Sequence, residues 1–281
     1  MGRLPGPVCV SAGNPSISVA PKVAEAGESR DMTRAEVFAG HVAVIIPTFN
    51  ERDNVGPITA RVRSAIPCAD LLVVDDDSPD LTGKIADELA AADSHIRVLH
   101  RPAKAGLGAA YIAGFEWALE RGYDTIVEMD ADGSHQPEEL PRLLSALADA
   151  DLVLGSRWVP GGNVLNWPKS REFLSRAGNA YARVMLGISV RDATGGYRAY
   201  RASGLRKIAL DTVESQGYCF QIDLVLQAIQ AGLTVAEVPI TFADRTRGSS
   251  KMSNAIVREA LWRVTKWGIT GRLGRHRANN Q

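Results

Sequence analysis

The sequence has 281 residues, of which 45% are hydrophobic and 23% are charged. That much apolar material can bury the core of one large domain or two small ones. Lys and Arg together number 32 and Asp and Glu also number 32, so the composition does not favour a protein that binds nucleic acid through its net charge.

Residues 1–40 differ in composition from the remainder of the chain. They contain four prolines and several Gly and Ser residues, and they lack an apolar run long enough for a signal-peptide core. We predict that they form a disordered N-terminal extension. No stretch of about 18 apolar residues occurs in the sequence, so no transmembrane helix is predicted.

From residue 42 onward, short apolar runs alternate with segments of helical spacing. The runs are rich in β-branched residues and do not alternate with polar ones, as expected of strands buried on both faces. The predicted strands are 42–46, 71–74, 96–99, 125–127 and 151–154, and the predicted helices are 55–65, 83–92, 108–121 and 138–148. This order predicts an α/β fold with a mostly parallel central sheet and helices on both faces.

Two carboxylates, Asp130 and Asp132, lie where the fourth predicted strand ends. Residues two apart on a strand point to the same side, so both acids can face one cleft. Like charges this close repel unless a cation lies between them, and Mg²⁺ or Mn²⁺ prefers such oxygen ligands. The pattern alone leaves open a second interpretation, an acidic surface turn after a buried strand.

Further polar clusters follow other predicted strands. Ligands of parallel sheets bind beyond the carboxyl ends of the strands, so these clusters are expected to share one edge. They comprise residues 47–51, 75–80, 130–132 and 155–157. Carboxylates and a turn can bind a base and ribose, and an acidic pair with a metal can bind a diphosphate, so together they predict a nucleotide-sugar site.

At these positions the sequence resembles inverting nucleotide-sugar glycosyltransferases, which have a Rossmann-like, glycosyltransferase-A-type fold and an Asp-x-Asp metal site. Within that group it is similar to the polyprenol-phosphate (dolichol-phosphate) mannose synthases. The matching segments are 45–51, 73–80, 128–132, 155–157, 166–168 with Arg171, and 245–251. The matching segments indicate a catalytic domain at 41–250, and the spacing and charges of the residues after it predict a C-terminal amphipathic helix and basic tail at 251–281.

The resemblance also implies roles for individual residues. The residues expected to hold the nucleotide are Pro47, Phe49, Glu51, Val74, Asp76, Asp130, Ala131 and Asp132, with Mg²⁺ or Mn²⁺ bound by Asp130 and Asp132. Those expected to hold the acceptor phosphate and the donor diphosphate are Arg157, Arg171, Ser175, Arg245 and Lys251. Residues 248–251 would form a closing loop with Gly248 as its hinge. A secondary role is implied for Asp192.

The expected reaction is transfer of mannose from GDP-mannose to a polyprenyl monophosphate with inversion. A lipid phosphate needs no general base, because its second pKa of roughly 6 leaves it largely a dianion at neutral pH. The five histidines then have no required part, and only His135, beside the acidic pair, is a candidate. Two alternatives remain: a polyprenyl-phosphate glucosyltransferase that uses UDP-glucose, and a non-catalytic sugar-nucleotide-binding module.

Because a polyprenyl phosphate is embedded in a bilayer, we expect a cytoplasmic protein that docks peripherally on the membrane, at its cytoplasmic face. Residues 255–273 have the spacing of an amphipathic helix. Its apolar face comprises Ile256, Val257, Ala260, Leu261, Val264 and Trp267. This face could contact lipid or pack on the catalytic domain, and a membrane-protein partner could add anchorage. Trp167 is a candidate wall of the opening for the lipid.

Overall fold

The computed structural model describes residues 40–213, 218–244 and 254–278. Its first half alternates strands and helices in the predicted order. These are β1 (Val42–Thr48), α1 (Arg52–Ala65), β2 (Asp70–Asp75), α2 (Thr82–Ala92), β3 (Ile96–His100), α3 (Leu107–Glu120) and β4 (Thr125–Glu128). Each strand and helix predicted in this half is present, with ends shifted by at most three residues.

The second half contains the fifth predicted strand and several elements that were not predicted. A 3₁₀ turn at Pro137–Glu139 leads into a short helix where one helix was expected. The elements are α4 (Leu140–Ala146), β5 (Leu152–Ser156), β6 (Asn163–Leu165), α5 (Lys169–Leu186), β7 (Arg198–Arg201), α6 (Ala202–Leu205), α7 (Tyr218–Gln230), β8 (Val235–Pro239), β9 (Thr241–Ala243) and α8 (Asn254–Ala278).

Seven strands form the central sheet, in the order β3-β2-β1-β4-β7-β5-β8. All are parallel except β7, which lies antiparallel between β4 and β5. The mostly parallel α/β sheet predicted from the sequence is confirmed. Strands β1, β2, β4 and β5 run in the same direction, so the polar segments that follow them lie at the same edge of the sheet.

The sheet is buried on both faces, which explains why its strands are apolar without alternation. In β1, Ala43 and Ile45 pack with α3 and α7 on one face. Val44 and Ile46 pack with α1 and α4 on the other face. The close approach of α3 to β1 requires Gly114, since a Cβ there would lie 2.5 Å from a methyl carbon of Ile45.

Helix α8 packs against α5 and α7. A Cβ on Gly268 would lie 2.6 Å from the carbonyl oxygen of Met185, so glycine permits the close contact with α5. The hydroxyl groups of Tyr181 and Thr265 are hydrogen-bonded at 2.6 Å, and Val264 is buried in the core. In the described part of the chain, no helix has the combination of length and apolarity that a membrane crossing requires.

Candidate active site

The loops that follow β1 and β2 are joined by hydrogen bonds. Three backbone N–H groups of the first loop donate to side chains of the second: Asn50 to Ser78 Oγ at 3.1 Å, Glu51 to Thr82 Oγ1 at 3.0 Å and Arg52 to Asp80 Oδ2 at 3.1 Å. Burial opposes the charge on Asp80, but hydrogen bonds from the Thr82 hydroxyl and from the backbone N–H groups of Arg52 and Thr82 outweigh it and hold the pKa of that carboxyl below its usual value. The nucleoside-binding segments predicted from the sequence therefore form one fixed wall.

Asp76, the predicted contact of the base, lies in this wall with its side chain only 5% exposed. Its Oδ1 accepts a 2.5 Å hydrogen bond from Nη1 of Arg101, a residue that the sequence analysis did not select. The preceding acid, Asp75, accepts from the hydroxyl groups of Thr48 and Ser78 at 2.9 and 2.6 Å. Asp75 therefore holds the loops together, whereas Asp76 and Arg101 form a separate ion pair.

Phe49, predicted to hold the nucleoside, is partly exposed at the end of β1. The ammonium group of Lys104 lies 3.9 Å from the centroid of its ring. The loop after β3 therefore contributes two cations, Arg101 and Lys104, to the region where the nucleotide was predicted.

The acidic pair is held from both sides. Tyr111 donates from its hydroxyl to Oδ1 of Asp130 at 2.9 Å. Burial, and then the charge of Asp130, raise the pKa of Tyr111 well above its usual value, so this phenol remains a donor. The backbone N–H of Ser134 donates to Oδ1 of Asp132 at 3.0 Å, and the Asp132 side chain is nearly buried. Both carboxylates are thus oriented by bonds within the fold.

His135 is hydrogen-bonded to the backbone of the acidic loop and is buried. The backbone N–H of Asp130 donates to its Nδ1 at 3.1 Å, and its ring stacks on Tyr197 with centroids 4.8 Å apart. Burial lowers the pKa of His135, which agrees with a neutral ring whose Nδ1 is an acceptor. In this structure His135 therefore contacts the acidic loop through its hydrogen bond and packs against Tyr197.

The residues present fit a hard divalent cation. The described residues include no cluster of three or more His, Cys, Asp or Glu side chains suited to a metal, so the acidic pair supplies only two candidate carboxylate ligands. Within the described chain, the buried Oγ of Ser134 has no hydrogen-bond partner. Two carboxylates and a hydroxyl are oxygen donors of the type Mg²⁺ or Mn²⁺ prefers, with the other positions left to phosphate oxygens and water.

A buried polar network lies beneath the acidic pair. Glu128, two residues before Asp130 on the chain, accepts from the hydroxyl of Tyr200 at 2.6 Å and from Nε2 of Gln221 at 2.7 Å. Burial raises the pKa of Glu128, although the charge of Arg198 opposes this effect. The network joins β4 to β7 and α7, and so fixes the strand end that carries the acids.

Arg157 and Asp192 form a buried bidentate ion pair. Nε and Nη2 of the guanidinium donate to the two carboxylate oxygens at 2.7 and 2.6 Å, and the backbone N–H of Arg157 donates at 2.9 Å. Burial alone would raise the pKa of Asp192, but the Arg157 guanidinium outweighs burial and lowers it. The predicted phosphate-binding arginine is thus fixed by a carboxylate 35 residues away.

Arg171 is the second predicted phosphate-binding residue within the described chain. Its Nη1 donates to Oδ1 of Asp244 at 2.7 Å, and its guanidinium lies 4.0 Å from the ring centroid of Trp167. This pair is more exposed than the buried pair of Arg157.

A cavity of about 330 Å³ lies between α5 and α8, and we call it the α5–α8 cavity. Polar side chains line one part of it: Arg157, Arg171, Ser175 and Thr194. Apolar or small residues line the remainder, together with Trp167: Leu174, Ala177, Gly178, Tyr181, Ile222, Ala260, Leu261 and Val264. Trp167, which was predicted to form a wall of the opening for the lipid, lines this cavity.

One aromatic ring connects this cavity to the acidic loop. The Phe242 ring lies 5.4 Å from that of His135 and 5.4 Å from that of Trp167, centroid to centroid. The Arg157 guanidinium lies 5.2 Å from the Phe242 centroid. Phe242 thus packs between His135, which contacts the acidic loop, and two residues of the cavity lining, Trp167 and Arg157.

The predicted site residues divide into two groups. The structure brings together the predicted residues at the ends of β1, β2, β4 and β5 and those on α5. Arg245, Lys251, Gly248 and the predicted closing loop lie outside the described residues, as does the predicted N-terminal extension apart from Gly40. Three residues that were not predicted, Arg101, Tyr111 and Asp244, each contact a predicted site residue through their side chains.

The apolar face predicted on α8 is used within the protein. Val264 is buried and Trp267 packs on the core, while Ala260 and Leu261 line the α5–α8 cavity. The side chains of Ile256 and Val257 lie outside the described part of the structure. The other side of the helix carries Trp262, which is 62% exposed. Leu261 is nevertheless 44% exposed, so within the described residues this face packs on its own domain only in part, through Val264 and Trp267.

Comparison with known proteins identifies similar sequences. Residues 43–209 match the model of the family described as Glycosyl transferase family 2. The chain is 59% identical to a polyprenol monophosphomannose synthase of Mycolicibacterium smegmatis over 83% of this chain and 89% of that protein. It is 58% identical to an undecaprenyl-phosphate mannosyltransferase of Micrococcus luteus over 82% of this chain and 95% of that protein.

Solved structures with a similar fold are more distant in sequence. Glucosyl-3-phosphoglycerate synthase from Mycobacterium tuberculosis in complex with uridine diphosphate superposes with a TM-score of 0.60 at 20% identity, over 88% of this chain and 86% of that one. A complex of the same enzyme with Mn²⁺, UDP-glucose and phosphoglyceric acid gives a TM-score of 0.58 at 20% identity, over 81% and 80% of the two chains. These matches show a shared glycosyltransferase fold.

Proposed function

This chain belongs to glycosyl transferase family 2, and on that premise we propose that it is a metal-dependent polyprenyl-phosphate mannosyltransferase. It transfers mannose from GDP-mannose to a polyprenyl monophosphate with inversion, giving polyprenyl phosphate β-mannose and GDP. The names of the two relatives at 58% and 59% identity support the sugar and the lipid class of the acceptor.

The observation that carries the proposal is the chemistry of the α5–α8 cavity. Its lining combines two arginines with a wall of aliphatic and aromatic side chains, which suits a ligand with an anionic head and an apolar chain. A sugar or a small phosphorylated acid would not use the apolar wall. At about 330 Å³, the cavity would accommodate the part of a polyprenyl chain nearest its phosphate.

The proposed reaction requires the protein to orient the acceptor phosphate and to neutralise negative charge. The acceptor phosphate is largely a dianion at neutral pH, so its oxygen can attack the anomeric carbon while the bond from that carbon to the diphosphate breaks. No proton has to be removed, which agrees with the buried, neutral His135. Arg171 binds the acceptor phosphate and positions it toward the donor. Asp192 fixes the guanidinium of Arg157, which lines the same cavity. A divalent metal held by Asp130 and Asp132 would neutralise the departing diphosphate.

The test is a transfer assay with purified protein, a short-chain polyprenyl phosphate, Mg²⁺ or Mn²⁺, and either GDP-mannose or UDP-glucose. We expect lipid-linked mannose from GDP-mannose and little product from UDP-glucose. Transfer from UDP-glucose alone would replace the proposal with the glucosyltransferase. Nucleotide-sugar binding without product in either reaction would favour the non-catalytic module.

Replacing Arg171 with Gln should slow transfer more than it weakens GDP binding. Its proposed partner is the acceptor phosphate, and a charge-assisted hydrogen bond contributes about 1.5–3 kcal/mol. We expect transfer to fall roughly 10-fold or more at limiting polyprenyl phosphate, with the Kd for GDP changed less than about twofold. Arg63→Gln, which removes an arginine near the end of α1 that pairs with Asp93, is the matched control. An equal loss of GDP affinity and rate would assign Arg171 to the nucleotide.

Docking on the membrane should involve the exposed apolar side chains of α5 and α8. Phe173 on α5 is 75% exposed, and Trp262 on α8 is 62% exposed with the Lys266 ammonium 5.3 Å from its ring centroid. An apolar side chain beside a basic one suits an anionic lipid surface. We expect Phe173→Glu with Trp262→Glu to lower co-sedimentation with anionic liposomes several-fold.

The control for this experiment is Leu81→Glu, which places the same charge at an exposed leucine on the loop before α2. Point substitutions are preferable to removal of α8, because Val264 and Trp267 of that helix belong to the core. Unchanged liposome binding by the double variant would exclude these side chains as the docking element.

A further inference from the structure

Thr194 lies in the loop between α5 and β7 and lines the polar part of the α5–α8 cavity. Its Oγ1 accepts hydrogen bonds from Nη2 of Arg157 at 2.9 Å and from Nδ2 of Asn179 at 3.0 Å. The hydroxyl itself donates to Oδ1 of Asp192 at 3.3 Å. A hydroxyl has one donor and two acceptor positions, so these three contacts use all of them.

Asn179 fixes the other side of this contact. Its side chain is buried on α5, and its Oδ1 accepts from the backbone N–H of Thr194 at 3.2 Å. A backbone N–H can only donate, so this contact determines which end of the amide is the oxygen. The Nδ2 end then donates to Oγ1 of Thr194 and to the carbonyl oxygen of Ser175, each at 3.0 Å. Asn179 thus holds the Thr194 hydroxyl against α5.

The Thr194 hydroxyl therefore links two walls of the cavity. Arg157 directly follows β5, whereas Arg171 and Ser175 lie on α5. Through Thr194 and Asn179, the guanidinium of Arg157 is joined to the helix that carries the other two predicted phosphate contacts. These three predicted residues all line the cavity. An anion that contacts both walls binds well only when the distance between the walls is fixed in advance.

We propose that Thr194, held by Asn179, is a positioning residue for the acceptor phosphate. Its hydroxyl keeps the Arg157 guanidinium at the distance from α5 at which both walls contact one phosphate group. The inference rests on the proposed function, since it takes the acceptor to be a polyprenyl monophosphate. A hydroxyl that only stabilised the loop would change the stability of the protein and not the affinity for one of its two substrates.

The experiment compares the wild-type protein with Thr194→Val and Thr194→Ser by calorimetric titration with farnesyl phosphate, a short polyprenyl monophosphate, and separately with GDP and Mn²⁺. Valine keeps the shape of threonine without its hydroxyl, whereas serine keeps the hydroxyl. We expect Thr194→Val to lose about tenfold in affinity for farnesyl phosphate, the effect of one charge-assisted hydrogen bond, and less than about twofold for GDP. Thr194→Ser should stay within about threefold of the wild type for both ligands.

A second variant, Asn179→Ala, tests the same link from α5. It should also weaken the binding of farnesyl phosphate, and adding Thr194→Val should cost little more, since both changes break one link. The matched control is Thr59→Val, which removes a buried hydroxyl whose hydrogen bonds go to the carbonyl groups of Val55 and Gly56 within α1. It should leave both affinities unchanged.

Wild-type affinity for farnesyl phosphate in Thr194→Val, or an equal loss in Thr194→Val and Thr194→Ser, would overturn the proposal, because the hydroxyl would then not be responsible. Equal losses for farnesyl phosphate and GDP would also overturn it and make Thr194 a residue that supports the whole site. A wild-type protein that binds farnesyl phosphate but transfers glucose in place of mannose would instead refute the donor of the proposed function. The affinities for farnesyl phosphate would still test Thr194, so the two failures are distinguishable.

Discussion

Asp130→Asn and Asp132→Asn should each lower mannose transfer by at least about 100-fold, because a metal that neutralises a departing diphosphate contributes several kcal/mol. Asparagine is the informative substitution at both positions. Its carbonyl oxygen can still accept from the Tyr111 hydroxyl at position 130 and from the Ser134 N–H at position 132. The local hydrogen bonds are then retained while the charge that would bind the metal is lost.

The measurement is the initial rate at saturating Mg²⁺ or Mn²⁺, together with the thermal midpoint of each variant. Asp87→Asn is the matched control, since Asp87 is an exposed acid on α2 that pairs with His100. It should keep its rate. Near-normal transfer in both acidic-pair variants would exclude these residues as the metal site, provided that their thermal midpoints match that of the wild type.

The strands and the acidic pair could be predicted from the sequence because their signals are local. Buried parallel strands are uninterrupted apolar runs, and 71–74 and 125–127 carry that signal within a few residues. Asp130 and Asp132 follow such a run directly. Strand β7 gave no comparable signal: its Arg198 is fully buried, with its guanidinium hydrogen-bonded to three backbone carbonyl groups.

The partners of the site residues could not be predicted, because they are distant in sequence. Arg101 is 25 residues from Asp76, and Asp244 is 73 residues from Arg171. A partial signal existed for Arg101. It is the second residue after the third predicted strand, 96–99, and the rule applied to the other strand ends would have selected it. The antiparallel insertion of β7 between β4 and β5 had no signal in the spacing of the chain.

The Arg157–Asp192 pair shows what such a distant contact contributes. Both side chains are almost completely buried, and Asp192 also accepts from Nδ2 of Asn179 at 3.3 Å. Because the folded-state pKa of Asp192 is lowered, its stabilising contribution is fully present above the unfolded pKa of about 3.9. It is lost as the pH falls through the lower folded value. Measurements at neutral pH therefore report the whole contribution of the carboxylate.

Asp192→Ala should lower the free energy of unfolding by about 3–5 kcal/mol at neutral pH, because it leaves the Arg157 guanidinium buried without its counter-charge. Urea unfolding followed by circular dichroism measures the loss. Glu172→Ala, which breaks the exposed pair with Arg176, should cost only about 0.5 kcal/mol. Adding Arg157→Met to Asp192→Ala should restore part of the stability, since the uncompensated charge is then removed. If the double variant were as unstable as the sum of the single variants, the loss would come from packing and not from the unpaired charge.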